Sequence, residues 1–393
     1  MDHRLYNDSP YINEWQTEVR SIAEKDGKCH VTLAETAFYP EQGGQLADHG
    51  KIDGMPVEGI YEIDGSVYHI LPAAPQSGTV KCKLDFTRRF DHMQQHTGQH
   101  ILSAAFEMLC HADTSSFHMG EEDASIELSM PDIPESTLKA VEDKVNALLN
   151  LDLKVRTHVV SPVQAARFPG VKPPEGASVV RVVKIDTIEY NACCGTHVSQ
   201  LGEIGLIKIV RIEKTGAGQT RVYFRCGRRA LKDYQIKHDI VAVLGRQFKV
   251  TENELLQRVD LQATQLKSAM KDIETLKGRL IDIEAAEMTK AAASPLIVRA
   301  FDDRRFDELS LLGKALLKHG DFVMVISSVP DKRLVFARSD RFADINCGKI
   351  FKEQLPAFGG KGGGSPAWAN AGFGSVEEMK KFEAYLAEYG RKL

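Results

Sequence analysis

Two short strings carry the residues best suited to chemistry: His96-Thr97-Gly98-Gln99-His100 and, further along, Cys193-Cys194-Gly195-Thr196-His197. Each ends in a histidine four positions after another metal-ligating residue type. Three imidazoles with one or two thiols suit a tetrahedral zinc site. Helical residues four apart share a face, so His96 and His100 can converge on one ion. His92 extends the series, but at 1.5 Å rise per residue it lies roughly 12 Å from His100 along the axis. Both cannot sit about 2 Å from the same metal, so only one pair can be used. The second string follows the strand-like stretch 185–190 and contains Gly195, which predicts a tight loop at a strand end. From it Cys193 or Cys194, together with His197, would complete a shell of three histidines and one cysteine. Thr97 stands where the H-E-x-x-H of zinc proteases puts its glutamate base. Four protein ligands also resemble a structural site. The residues alone therefore leave metal-assisted hydrolysis and structural zinc both open.

The elements that must hold these strings can be read from periodicity. A helix is predicted to start near Arg88 with Thr87 as its cap. Phe90, Met93, Thr97, Ile101, Ala104 and Met108 would be its buried stripe. Residues 1–87 read as all-β, with alternating stretches at 28–33, 57–63, 67–70 and 79–84 set apart by Gly, Asp and Pro, which fits a small β-barrel or a sandwich. After the first string, a helix over 134–150 starts with Ser136 and carries Leu138, Val141, Val145 and Leu148. Strands follow near 154–160, 179–185 and 206–212, which makes the class α+β. From about 230 to 293 the pattern is helical throughout. Leu256, Val259, Ala263, Leu266, Met270, Ile273 and Leu280 keep three- and four-residue spacing, with Lys277 breaking the seam; an intramolecular hairpin and a dimeric coiled coil both fit. The last hundred residues alternate strand (296–299), helix (308–319) and strands (322–327, 334–337), as in a small α/β domain.

Composition sets the outer bounds. The 393 residues exceed what one hydrophobic core usually serves. A hydrophobic content of 43% and a charged content of 26% are globular values. No apolar run approaches the roughly 20 residues that span a bilayer, and the first residues lack a secretory signal. A cytoplasmic protein with no membrane partner is expected. The seven cysteines, Cys29, Cys82, Cys110, Cys193, Cys194, Cys226 and Cys347, are scattered and odd in number, which is no disulfide framework. A net charge of −4 gives no global attraction for nucleic acid, although local patches govern steering. One patch is dense: Lys208, Arg211, Lys214, Arg221, Arg225, Arg228, Arg229 and Lys232 are opposed within 208–232 only by Glu213.

A third block, Thr36-Ala37-Phe38-Tyr39-Pro40-Glu41-Gln42-Gly43-Gly44-Gln45-Leu46-Ala47-Asp48, precedes the two strings. In this order the three resemble the signature blocks of the alanyl-tRNA synthetase editing domain, which also occurs in free-standing editing proteins of the AlaX type. The glycine-dense stretch 359–364 and its surroundings resemble the DHHA1 domain of the synthetase and of the long AlaX form. The resemblance implies a β-barrel domain over 1–87, a zinc-containing editing domain over 88–230, a helical coiled-coil linker over 231–293 and a DHHA1-like domain over 294–393. It implies ATP-independent hydrolysis of the ester joining a wrong amino acid, chiefly serine and also glycine, to tRNA(Ala), in the service of translation fidelity. A pocket built for alanine cannot strongly reject serine or glycine, so a second hydrolytic site removes the product.

Carried over by position, the resemblance makes His96, His100, Cys193 and His197 the zinc ligands. Cys194 stands where the family pattern C-G-G-T-H has its first glycine. Thr36 would read the serine hydroxyl, and Gln45 would share its pocket. Zinc would orient the tRNA end or activate water; no carboxylate stands out as a general base. Arg88, Arg221, Arg225 and Arg228 would meet tRNA phosphates, and Gly360, Lys361 and Gly362 would help hold the tRNA body. That glycine run is no P-loop, since Lys361 is not followed by Ser or Thr. A homodimer through the 231–293 helices or the C-terminal domain is the further partner. The alternative is an RNA-binding protein with structural zinc and no catalysis.

Overall fold

The computed structural model describes residues 2–216 and 218–391. The chain forms two compact units, one up to Leu244 and one from Gly245 on. Among the described residues no helix is long and apolar enough to cross a membrane.

Alternation at every second residue builds the opening sheet of the first unit. In Thr79–Leu84, for example, Val80, Cys82 and Leu84 are buried and the lysines between them face out. The chain begins with His3–Arg4 (β1) and a short helix, Leu5–Asp8 (α1). The strands then run Glu14–Lys25 (β2), Lys28–Leu33 (β3), Glu35–Thr36 (β4), Gly50–Ile52 (β5), Met55–Pro56 (β6), Gly59–Ile63 (β7), Ser66–Leu71 (β8) and Thr79–Leu84 (β9). Seven of them make an antiparallel sheet in the order β6-β5-β9-β2-β3-β8-β7. β1 pairs in parallel with β4. β2 changes partner midway, its first half on β9 and its second on β3. Val31, Leu33, Phe38, Ile52, Val67 and Leu71 fill the core beneath. β6 and β7 follow one another along the chain and change partner as β2 does: the Val57 N–H donates to the Gly50 carbonyl of β5 at 2.9 Å and the Glu58 N–H to the Ile70 carbonyl of β8 at 2.9 Å.

A 25-residue helix follows, Phe86–Cys110 (α2). Its cap is Asp85 rather than Thr87: the Asp85 carboxylate accepts from the backbone N–H groups of Thr87 and Arg88. Every residue from His92 to Leu102 is buried. Met93, Thr97, Ile101 and Ala104 of the expected stripe lie inside, whereas Met108 is 47% exposed. α2 is packed against Thr114–Met119 (β10), Ala124–Leu128 (β11) and Glu135–Leu149 (α3). Next come Val155–Val160 (β12), Pro162–Ala165 (α4), Val180–Ile185 (β13), Glu189–Ala192 (β14), Ile207–Thr215 (β15), Gln219–Cys226 (β16) and Gly227–Phe248 (α5). The sheets are β10-β11-β16-β15 and β12-β13-β14. Met93, Ile101, Phe106, Ile126, Val145 and Phe224 sit in their common core. The boundary expected at 87/88 thus falls inside one compact unit.

The second unit contains Leu255–Ala291 (α6), Leu296–Phe301 (β17), Phe306–His319 (α7), Val323–Ser328 (β18), Arg333–Arg338 (β19), Cys347–Gln354 (α8), Lys361–Gly364 (β20), Trp368–Gly372 (β21) and Val376–Arg391 (α9). Its sheet runs β17-β18-β19-β21-β20, with only β17 and β18 parallel. The helical stretch over 230–293 is interrupted, since α5 ends at Phe248 and α6 starts at Leu255. Leu256, Leu266, Met270 and Leu280 are all more than 60% exposed, so the seam of α6 is not buried in a hairpin. The glycine run is an edge strand, β20, paired antiparallel with β21.

Candidate metal centre

The four-residue step of α2 puts His96 and His100 on one face, and the loop after β14 delivers Cys193 and His197 to it. One ligand atom from each of His96, His100, Cys193 and His197 lies within 4.8 Å of all the others. The Cys193 sulfur is 3.3 Å from Nε2 of His96 and 3.4 Å from Nε2 of His197. Cys194 is exposed and stands outside the cluster. Arg181 of β13 fixes the loop by donating to the carbonyls of Cys193 at 2.8 Å and Gly195 at 2.7 Å. Gly195 is required by close approach: a Cβ there would fall 2.0 Å from Cε1 of His96.

Each imidazole is oriented through its other nitrogen. Nδ1 of His96 is 2.9 Å from Oε1 of Gln45. That oxygen also accepts from the Thr196 N–H at 3.0 Å, while the Gln45 amide nitrogen donates to the Thr196 hydroxyl at 2.9 Å. His96 is therefore the donor in its bond. Nδ1 of His100 meets the Glu189 carboxylate at 3.0 Å. Nδ1 of His197 lies 3.2 Å from the Thr97 hydroxyl, whose own proton goes to the Met93 carbonyl at 2.9 Å. All three rings thus carry a proton on Nδ1 and turn Nε2 toward the centre, the arrangement that prepares histidine for a metal. Nε2 of His100 is buried without any hydrogen-bond partner, a rare condition that an ion would relieve.

Charge points the same way. Burial alone would raise the Cys193 thiol, yet the neighbouring His96 and His197 hold it well below its ordinary value. That favours the thiolate, the form that binds metal. Burial holds His197 neutral, its pKa lowered to about 3. Burial also opposes charge on His100, but Glu189 and Cys193 outweigh it and raise the pKa to about 10. The bare cluster therefore attracts one positive charge, a proton or a cation. Its nitrogen and sulfur donors suit a tetrahedral ion of intermediate softness.

The block at 36–48 reaches this centre. Gly43 and Gly44 both have positive φ, 61° and 80°, between Gln42 and Gln45, which bond each other's backbones at 3.1 and 3.0 Å. Two such residues make the hairpin turn that suits strand twist, and it presents the fully buried Gln45 to His96. Thr36, at the other end, is fully buried on β4. Asp48 accepts from the Tyr39 N–H at 2.7 Å and from the buried guanidinium of Arg89. Arg89 also donates to the carbonyls of Ala37 at 2.5 Å and Pro10 at 2.9 Å. The block is thus pinned to α2 near both ends. A cleft of about 960 Å³ opens beside the cluster, lined in part by Ser103, Phe117, Glu189, Tyr190 and Asn191. Phe117 stacks on His96 with ring centroids 5.1 Å apart.

His92 is buried outside the cluster, with neither ring nitrogen partnered. The basic residues are mostly neutralised by carboxylates distant in sequence. Arg88 pairs with Glu121, Arg221 with Glu127, Arg225 with Asp123 and Asp233, and Arg229 with Asp91. Arg228 is exposed, and among the described residues neither it nor Lys232 makes an ion pair. In the second unit, Lys361 and Gly362 belong to β20 and Gly360 directly precedes it. Sequence reasoning missed Glu189, whose position carried no signal, and the part taken by Thr97, which lay in plain view inside the first string.

Comparison with known proteins places these blocks in context. Residues 180–223 match the family described as the threonyl and alanyl tRNA synthetase second additional domain. The chain is 28% identical over 382 residues to the alanyl-tRNA editing protein AlaX-L of Pyrococcus horikoshii, covering 93% of each chain. It is 34% identical over 257 residues to the alanyl-tRNA editing protein Aarsd1 of Danio rerio, covering 64% of this chain and 62% of that one. A solved structure, the C-Ala domain from Aquifex aeolicus alanyl-tRNA synthetase, is 22% identical over 24% of this chain and 89% of that chain, with a TM-score of 0.22, too distant a likeness to speak to the fold. Against the alanyl-tRNA editing protein Aarsd1-A of Xenopus laevis the identity is 32% over 300 residues, 72% of each chain. On the strength of that shared length, this chain belongs to the alanyl-tRNA editing protein family.

Proposed function

We propose that the chain is a trans-editing deacylase that hydrolyses mischarged tRNA(Ala), chiefly Ser-tRNA(Ala) and also Gly-tRNA(Ala), at a zinc-containing site. The observation that carries this reading is the orphaned, buried Nε2 of His100 within a four-donor cluster beside an open cleft. His96, His100, Cys193 and His197 would hold the ion, which when bound supplies Lewis acidity to a carbonyl or a water. In the reaction water adds to the acyl carbon, the bond to the ribose oxygen breaks, and free serine and tRNA leave. Gln45, Glu189 and Thr97 keep the three imidazoles in their working tautomer. Thr36 reads the side chain of the amino acid. Arg228, with Arg88, Arg221 and Arg225 alongside, offers charge to the tRNA backbone, and Gly360, Lys361 and Gly362 take part of the tRNA body.

By function the chain divides into a β domain over 1–87, an editing domain over 88–230, a helical linker over 231–293 and a DHHA1-like domain over 294–393. The open seam of α6 favours a homodimer through the linker or the last domain. A cytoplasmic site of action fits the absence of disulfide spacing. A second reading, RNA binding with structural zinc and no chemistry, is favoured by the count of four protein ligands. A deacylation assay with Ser-tRNA(Ala) and Ala-tRNA(Ala) decides between them. Release of serine with alanine spared supports the deacylase; no release of serine rejects it.

A further inference from the structure

Thr36 is held by a second buried side chain that none of the three blocks contains. Its hydroxyl oxygen lies 2.9 Å from Nε2 of His69 and 3.1 Å from the Phe38 N–H. His69 comes from β8, paired with Val31 of β3. Its Nδ1 lies 3.0 Å from the Val31 carbonyl oxygen. A carbonyl has no proton to give, so Nδ1 must carry the hydrogen of that bond. The ring is wholly buried, with Phe38 edge-on at 5.4 Å and no carboxylate bonded to it. A buried imidazole in such surroundings stays neutral. Nε2 then has only a lone pair, and the Thr36 hydroxyl must donate to it.

That settles the polarity of Thr36. A hydroxyl has one proton and two lone pairs. The proton is committed to His69 and one lone pair takes the Phe38 N–H. What is left is a single acceptor position. We propose that His69 is a positioning residue for specificity: it turns Thr36 into an obligate hydrogen-bond acceptor, so that the site selects aminoacyl esters whose β substituent donates a hydrogen bond. Serine has such a donor and alanine does not; glycine has no β substituent and would be hydrolysed without this contact. This rests on the reading of Thr36 given above, and it adds the direction of the bond and the residue that enforces it. A free threonine hydroxyl could rotate and donate as readily as accept, and would lose that directionality.

The test combines spectroscopy with kinetics on the full-length protein. Long-range nitrogen–proton correlation spectra of histidine-labelled protein at neutral pH should show His69 protonated on Nδ1 and bare on Nε2, with the signal assigned by its loss in His69→Gln. Kinetically, His69→Leu should lower the ratio of kcat/KM for Ser-tRNA(Ala) over Ala-tRNA(Ala) by about tenfold, the worth of one hydrogen bond, at unchanged metal content. His69→Gln keeps an acceptor at the Nε2 position and should restore most of the ratio. An Nε2-protonated tautomer overturns the proposal. So does a His69→Leu protein with full metal and undiminished preference for serine. If the unmodified protein releases no serine at all, the deacylase reading itself fails, an outcome distinct from either of these.

Discussion

Gly195→Ala is the sharpest probe of the centre, because its effect follows from distances alone. The added Cβ would stand 2.0 Å from Cε1 and 2.2 Å from Nδ1 of His96, where ordinary contact begins at 3.4 Å. Something must therefore move by about 1.4 Å, the difference between 3.4 and 2.0 Å. Neither neighbour is free to do so. The His96 ring is tied to Gln45 and packed on Phe117, and the loop is tied through the Gly195 carbonyl to Arg181. A metal ligand tolerates only about 0.2 Å of displacement. Disturbing a group that merely orients a ligand costs about 10- to 100-fold in metal affinity; displacing the ligand itself should cost at least the upper end, about 2.8 kcal/mol at 1.4 kcal/mol per tenfold. Competition against a chromogenic chelator measures the affinity, and circular dichroism checks that the fold survives. A folded Gly195→Ala protein that binds zinc as tightly as the parent would refute the placement of the loop against His96.

Metal analysis should find Cys193→Ala depleted and Cys194→Ala fully loaded; the reverse pattern would move the ligand to the exposed neighbour. Burial, helped by Arg88 and Arg229, lowers the pKa of His92 to about 3 from 6.5. The unfolded state then binds more protons between those values, so stability falls as pH falls from 6.5 toward 3. Between pH 6.5 and 5 the loss from this residue is about 2 kcal/mol at 1.36 kcal/mol per unit, and chemical denaturation of His92→Leu should show a correspondingly flatter pH dependence; identical slopes would contradict it. Thr36→Val should cut the preference for Ser-tRNA(Ala) about tenfold, while stripping His69 and the Phe38 N–H of a partner costs about 1–3 kcal/mol of stability. Thr36→Ser should recover both, and a Val variant that discriminates normally would remove Thr36 from substrate reading.

Much of the centre was legible because helical spacing is rigid. His96 and His100 share a face by geometry, and the same geometry excluded His92 as a partner of His100. Cys193 and Cys194 could not be told apart, because neighbours on an irregular loop point in different directions set by what clamps it, here Arg181. The cap of α2 was missed by two residues because Asp85 and Thr87 are both capping types, and only the backbone shows which one stands outside the helix. β2 went unseen since most of its residues are exposed and its sequence lacks an apolar alternation. β16 does alternate, inside and out, but its arginines drew attention as a charge cluster. In the fold Arg221 stands directly across from Glu127 on β11, a cross-strand pair that stabilises the sheet. Charge counted along a sequence overstates the free charge on a sheet, whose partners come from other strands.

The buried Arg89–Asp48 pair decides how portable the metal motif is. Arg89 lies seven positions before His96 on the same helix, and its counter-charge comes from the opening β region. A fragment beginning at residue 88 would lose the Asp48 carboxylate and the Pro10 and Ala37 carbonyls together, every partner that holds this guanidinium. The sheet is therefore no accessory that could be trimmed or exchanged. Any graft, truncation or gene fusion that moves the histidine helix must carry the first 87 residues with it, so the smallest transferable unit is set by a salt bridge rather than by the reach of the ligands.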